Sequence, residues 1–284
     1  MPDPACLYAL LEAPRERHEE LILRVVQPLA RRWREEPRLD SLFFVRFSEP
    51  TWQLRFRVLG DDAWIAGEAR TALDQALRAP LEDGLVAHAR FARYERELDR
   101  YGGPAGMRIA ERLFHLDSMA ALDRLELEQS GGARWTRREF VLALVERYAD
   151  GFGFAPTVRE EFDRQGYQWA FDSGVWDADQ RRTLDQAYAR NEQGLRALLE
   201  GPQAGGASSP DRALVEEFAS AAAPWFEELR DGLASGGVTA HAPYLAWSLT
   251  HMFTNRMGVE PAGEAILRYM AWRLHGGGPQ DDGR

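Results

Sequence analysis

The sequence predicts an α+β fold, in which a small antiparallel sheet with two helices fills the first hundred residues and a mainly α-helical half packs against it. Three observations predict this. The N-terminal segments switch between a period of two and a helical period, their order is βαββαβ, and strand signals largely vanish after Pro104.

Taken in order, "CLYALLEA" is a short apolar run suited to a first strand. "RERHEELILRVVQPLARRWREEP" places Leu21, Val25, Leu29 and Trp33 at helical spacing, with Pro28 tolerated as a kink. "SLFFVRFS" and "WQLRFRVLG" alternate as strands, and "EPT" between them suits a hairpin turn. "DDAWIAGEARTALDQALRAP" is an amphipathic helix that opens on two acidic residues and closes before Pro80. "GLVAHARFARYERE" returns to strand alternation. Such an order matches the ferredoxin-like arrangement, which packs two helices on one sheet face and leaves the other open.

Helical patterns then occupy 106–129, 136–150, 156–170, 177–200, 210–234, 242–256 and 261–275, and a helical layer would bury the open face. The expected division is an α+β part over 1–103, a helical part over 104–275 and a disordered tail over 276–284, with "GGPAG" as the join. "GPQAGGASSP", at 201–210, reads as loop.

With 284 residues, 45% apolar content and nine tryptophans, the chain can bury a large core. No run approaches the roughly 18–20 apolar residues of a membrane span, and no secretory h-region forms, so a cytoplasmic protein without a membrane partner is expected. The net charge of −10 argues against direct nucleic-acid binding. Cys6 stands alone and the six histidines are scattered, so neither a disulfide nor a zinc-like site is expected. All 35 basic residues are arginine, which removes Schiff-base chemistry and lysine-dependent phosphate loops.

Arg55 and Arg57 share one strand face, about 6.6–6.8 Å apart, opposite Leu54, Phe56 and Val58. Spacing alone allows either a solvated face or an anion clamp. Glu97 and Arg100, in "YERELDRYGG", are three apart and suit a local ion pair before a glycine turn. His251 and Asn255, in "LTHMFTNRMG", lie one helical turn apart. Histidine suits proton transfer near neutrality, although a lone helical histidine is also compatible with a core role.

"LFFVRFSEPTWQLRFRVLG", "YERELDRYGGPAGMRIAERLFHLDS" and "HMFTNRMG", in this order, resemble three signatures of the C-terminal elimination domain of lantibiotic dehydratases, also found as a free-standing thiopeptide-type biosynthesis protein. The resemblance implies catalytic roles for Arg55, Arg57, Glu97, Arg100 and His251, and substrate contacts for Arg46, Tyr101, Asn255 and Arg256. It implies a glutamylated ribosomal precursor peptide as substrate and a separate tRNA-dependent glutamylating protein as partner. Elimination of glutamate would leave dehydroalanine or dehydrobutyrine, with no cofactor. Relatives often carry a histidine just before the arginine strand, where this chain has "TWQLRFR". Two rivals stay open: a same-fold pyridine synthase performing a formal cycloaddition, and a non-catalytic subunit that presents the peptide. A homodimer is compatible with the sequence.

Overall fold

The computed structural model describes residues 4–200 and 209–278. Its sheet comprises β1 (Ala5–Glu12), β2 (Leu39–Phe47), β3 (Gln53–Gly60) and β4 (His88–Ala92), in the spatial order β2-β3-β1-β4 and antiparallel throughout. Helices α1 (15–33) and α2 (62–82) connect β1 to β2 and β3 to β4, which gives the ferredoxin-like order expected. The helical half runs α3 (Gly103–Gln129), α4 (Arg137–Phe152), α5 (Pro156–Asp172), α6 (Ala178–Glu200), α7 (Pro210–Ser235), α8 (Ala242–Arg256) and α9 (Pro261–Leu274). Among the described residues, no helix is long and apolar enough to cross a membrane.

Three elements differ from expectation. In α1 the chain makes a π-turn over Ile22–Val26 just ahead of Pro28, which lacks the N–H that a regular helix would use there. Helix α2 continues through Pro80 to Glu82, because a proline near a helix end forfeits a single bond. The last strand stops at Ala92, and residues 93–97 leave the sheet, drawn across it by Arg96, whose Nε donates to Glu111 of α3 at 2.7 Å. Most of the loop expected at 201–210, and the tail beyond 278, lie outside the described residues. Ser209 and Pro210 instead open α7, where the Ser209 hydroxyl accepts from the Arg212 N–H.

Leu54, Phe56 and Val58 are fully buried, paired in register with Leu11, Ala9 and Leu7. Burying each such large side chain contributes roughly 1.5–3 kcal/mol. The opposite face, carrying Phe43, Arg55 and Arg57, is covered by α3, whose Phe114 ring lies 5.4 Å from that of Phe43. One apolar core runs through both halves, from Leu7 to Ala271.

As the sheet edge, β2 would leave backbone groups unpaired. Side chains from the helical half complete it. His115 of α3 accepts the Leu42 N–H at 3.2 Å, and burial, which pushes its imidazole down to about 4, keeps it a neutral acceptor. Asn255 of α8 accepts the Arg46 N–H and donates to the Arg46 carbonyl, both at 2.8 Å.

Where α4, α5 and the end of α9 meet, His275 faces two carboxylates, Asp163 at 3.0 Å and Glu146 at 3.3 Å. Hydrogen bonds to Asp163 and then Glu146, against burial, raise its imidazole from 6.5 to about 9. The folded state therefore holds this proton more tightly than the unfolded one. The resulting stability is fully present below pH 6.5 and is lost as pH rises through about 9. Because His275 is a third exposed, the effect is on the order of 1–2 kcal/mol. Melting temperatures measured from pH 6 to 10 should fall across that window, and His275→Gln should flatten the fall.

Candidate active site

Residues 97–102 form a tight turn between the sheet and α3. The Glu97 carbonyl accepts the N–H groups of Arg100 at 3.1 Å and Tyr101 at 3.2 Å. Gly102 takes φ 79°, a left-handed conformation that favours glycine, and a Cβ at Gly106 would collide with the Tyr101 carbonyl. These glycines seat the turn on the N-terminus of α3, with Arg100 and Tyr101 facing the sheet.

A cavity of about 180 Å³ lies between that turn, strands β2 and β3, α3 and α8. All five expected catalytic residues, Arg55, Arg57, Glu97, Arg100 and His251, line it. Among the described residues, neither Arg55 nor Arg57 has an ion pair, and the Nε of each is buried without a hydrogen-bond partner. Arg55 lies over Phe47, its Cζ 3.3 Å from the ring centroid, while Arg57 lies over Tyr8 at 4.2 Å and donates to the Tyr8 hydroxyl at 3.1 Å. Burial lowers the Arg55 guanidinium from its ordinary value, although an arginine remains charged near neutrality. Cations held on aromatic faces with unused N–H groups make an anion-binding wall.

Arg100 makes the local pair with Glu97 at 3.0 Å and donates to Ser248 of α8 at 3.3 Å. Burial pulls its pKa down, but the neighbouring Tyr101 and the Glu97 hydrogen bond outweigh this and raise it. Glu97 itself is 61% exposed, so it meets solvent as well as Arg100.

His251 has a partner that sequence reasoning missed. Its Nδ1 lies 2.6 Å from Oε2 of Glu264 on α9. Burial would raise the Glu264 carboxyl, but the His251 hydrogen bond and the Arg268 charge more than offset it and hold it below its ordinary value. An ionised carboxylate only accepts, so Nδ1 carries the proton. Nε2 is then the nitrogen left free. The Thr254 hydroxyl also donates to Glu264, at 3.0 Å, and Trp247 stacks on the imidazole at 5.3 Å, so ring and carboxylate are both fixed.

The four residues expected to contact substrate divide. Tyr101 lines the cavity, though it is buried edge-on against Phe114. Asn255 reaches the wall, but both ends of its amide are engaged by the β2 backbone. Arg46 lines this cavity and a neighbouring one of about 680 Å³, which also holds Trp52, the residue before the arginine strand. Burial lowers the Arg46 guanidinium to about 10. Arg256 does not line the cavity. It is fully buried, with Nε 3.3 Å from Asp117, whose carboxyl burial pushes up to about 7. Replacing Arg256 with leucine should leave Asp117 with the Tyr148 hydroxyl but without its cationic partner and cost about 3–5 kcal/mol, measured by denaturant unfolding.

Among the described residues, no group of three or more His, Cys, Asp or Glu side chains is placed to hold a metal ion.

The chain is 32% identical over 118 residues to the subtilin biosynthesis protein SpaB of Bacillus subtilis, a match covering 42% of this chain and 11% of SpaB. Its fold is similar to that of the tRNA dependent lantibiotic dehydratase MibB from Microbispora sp. 107891, with a TM-score of 0.65 and 24% identity over 96% of this chain and 28% of MibB. It is also similar to the pyridine synthase TbtD from thiomuracin biosynthesis, with a TM-score of 0.70 and 17% identity over 95% of this chain and 97% of TbtD. TsrL aligns with a TM-score of 0.62 and 18% identity, over 95% of this chain and 94% of TsrL. At these identities the three structures share a fold. A family model described as lantibiotic biosynthesis dehydratase C-term matches residues 7–275, so the chain belongs to the lantibiotic dehydratase C-terminal family.

Proposed function

We propose that the chain is a lyase that eliminates glutamate from glutamylated Ser or Thr of a ribosomal precursor peptide, working in the cytoplasm with a separate tRNA-dependent glutamylating protein. The observation that carries this reading is the wall of Arg55, Arg57 and Arg100 facing a histidine whose Nδ1 is held by a carboxylate.

In the reaction Nε2 of His251 takes the Cα proton of the modified residue. The electron pair forms the Cα–Cβ double bond, and the Cβ–O bond breaks to release glutamate as a carboxylate. Arg55 and Arg57 bind the side-chain carboxylate of the leaving group, for which the planar guanidinium supplies two parallel N–H donors. Arg100 stabilises negative charge developing on the adjacent amide oxygen, or on the departing carboxylate, where fixed charge in a desolvated pocket acts most strongly. Glu264 holds the imidazole in one tautomer and favours the imidazolium formed by proton uptake. Glu97 orients Arg100.

Near-complete mutual coverage with TbtD favours a second reading, formation of a pyridine from two dehydroalanines. That reaction releases no glutamate and leaves the carboxylate clamp without a ligand. Incubation with a glutamylated peptide, followed by mass spectrometry, separates the two. Loss of the glutamyl mass supports the lyase. A persisting ester, with macrocycle formation from an already dehydrated peptide, overturns it.

A further inference from the structure

His251 lines a second cavity, of about 470 Å³, together with Trp169 of α5, Tyr244 and Trp247 of α8, and Pro261 and Glu264 of α9. Its walls are mostly rings. Tyr244, Trp247 and His251, at helical spacing, form a ladder with successive centroids 5.7 and 5.3 Å apart. Tyr244 is one of only two aromatic side chains among the exposed large hydrophobics of the described residues. A cluster of partly exposed rings marks a surface that buries apolar groups. The charge at its edge is already engaged, because Glu264 meets His251, Thr254 and Arg268.

The two cavities share the imidazole. A peptide residue that presents its Cα proton to His251 has its chain neighbour about 3.8 Å away, Cα to Cα, and that neighbour's side chain reaches further. We infer that the ring-lined cavity is a subsite for the residue next to the modified Ser or Thr, and that it selects a bulky apolar or aromatic side chain there. This inference rests on the elimination reading of the arginine cavity. The shared imidazole supports the peptide as occupant, rather than a second copy of the chain.

The test uses three glutamylated peptides that differ only in whether Phe, Arg or Gly stands beside the modified Thr. The wild type should favour the Phe peptide over the Gly peptide about tenfold in kcat/KM, the discrimination one well-packed ring contact gives. In Trp169→Ala and in Tyr244→Ala that ratio should fall towards one. Tyr244 is partly exposed, so its variant is a reserve should the Trp169 change disturb folding. Wild-type indifference, an unchanged ratio in both folded variants, or a preference for the Arg peptide, which would make the rings a cation cage, overturns the subsite. Calorimetric binding of the unmodified Phe and Gly peptides needs no turnover. The same discrimination there, with no glutamate released from any peptide, would keep the subsite and refute the lyase. Elimination without discrimination would do the reverse, and concentration-dependent self-association abolished by Tyr244→Ala would assign the surface to a second copy.

Discussion

His251→Ala is expected to reduce glutamate elimination by roughly 10²–10⁴-fold in kcat, the usual contribution of a positioned proton-transfer group. KM should change little, since the leaving carboxylate is assigned to the arginines. The structure gives the prediction its direction. Glu264 lies 2.6 Å from Nδ1, which leaves Nε2 as the nitrogen available for proton uptake. Glu264→Gln should therefore also act on kcat, by about tenfold or more, because an amide can donate as well as accept and no longer fixes one tautomer. Arg268 is buried beside Glu264, so this variant also loses stability and is assayed well below its melting temperature. Wild-type kcat in a folded His251→Ala protein would remove His251 from the mechanism as its base.

Local chemistry explains which parts of the fold were legible in the sequence. Period-two alternation in β3 told its buried face from its arginine face, since Leu54, Phe56 and Val58 admit one orientation. Helices α5, α7, α8 and α9 begin within a residue or two of expectation because each carries proline in its first turn, where a missing N–H costs nothing. The path of residues 93–97 was not legible. Their alternation suits a strand, but Arg96 finds Glu111 on a helix downstream, and Tyr94 packs between the rings of Tyr8 and Phe43. Such tertiary pairs leave no local trace.

The same distinction holds at the site. The common face of Arg55 and Arg57 could be read from spacing, whereas their meeting with Arg100 and His251 depends on how α3 and α8 cover the sheet. Glu264 was invisible as a partner. It lies thirteen residues from His251 on the next helix, and an acidic residue in a first turn reads as ordinary dipole compensation. Asn255 and Arg256 show the opposite case. Helical spacing aligns Asn255 with His251, yet its amide is spent on the β2 edge, and Arg256, one position further round, points inward to Asp117.

Arg55→Lys should lower kcat/KM for elimination by about a hundredfold, although charge is conserved. The guanidinium lies on Phe47, 3.3 Å from the ring centroid, and this stacking fixes the plane in which its N–H groups face the cavity. An ammonium lacks that plane and offers a point charge in place of a fork. Loss of one charge-assisted hydrogen bond, about 1.5–3 kcal/mol, together with the weaker ring contact, corresponds to about two powers of ten. On the proposed mechanism the clamp grips the leaving group, so the loss should be specific to glutamylated substrates. Macrocycle formation from an already dehydrated peptide, if the chain catalyses it at all, should survive the substitution. Collapse of both reactions would recast Arg55 as a residue that shapes the cavity, and wild-type glutamate release in the lysine variant would refute the two-point contact while leaving His251 as the base.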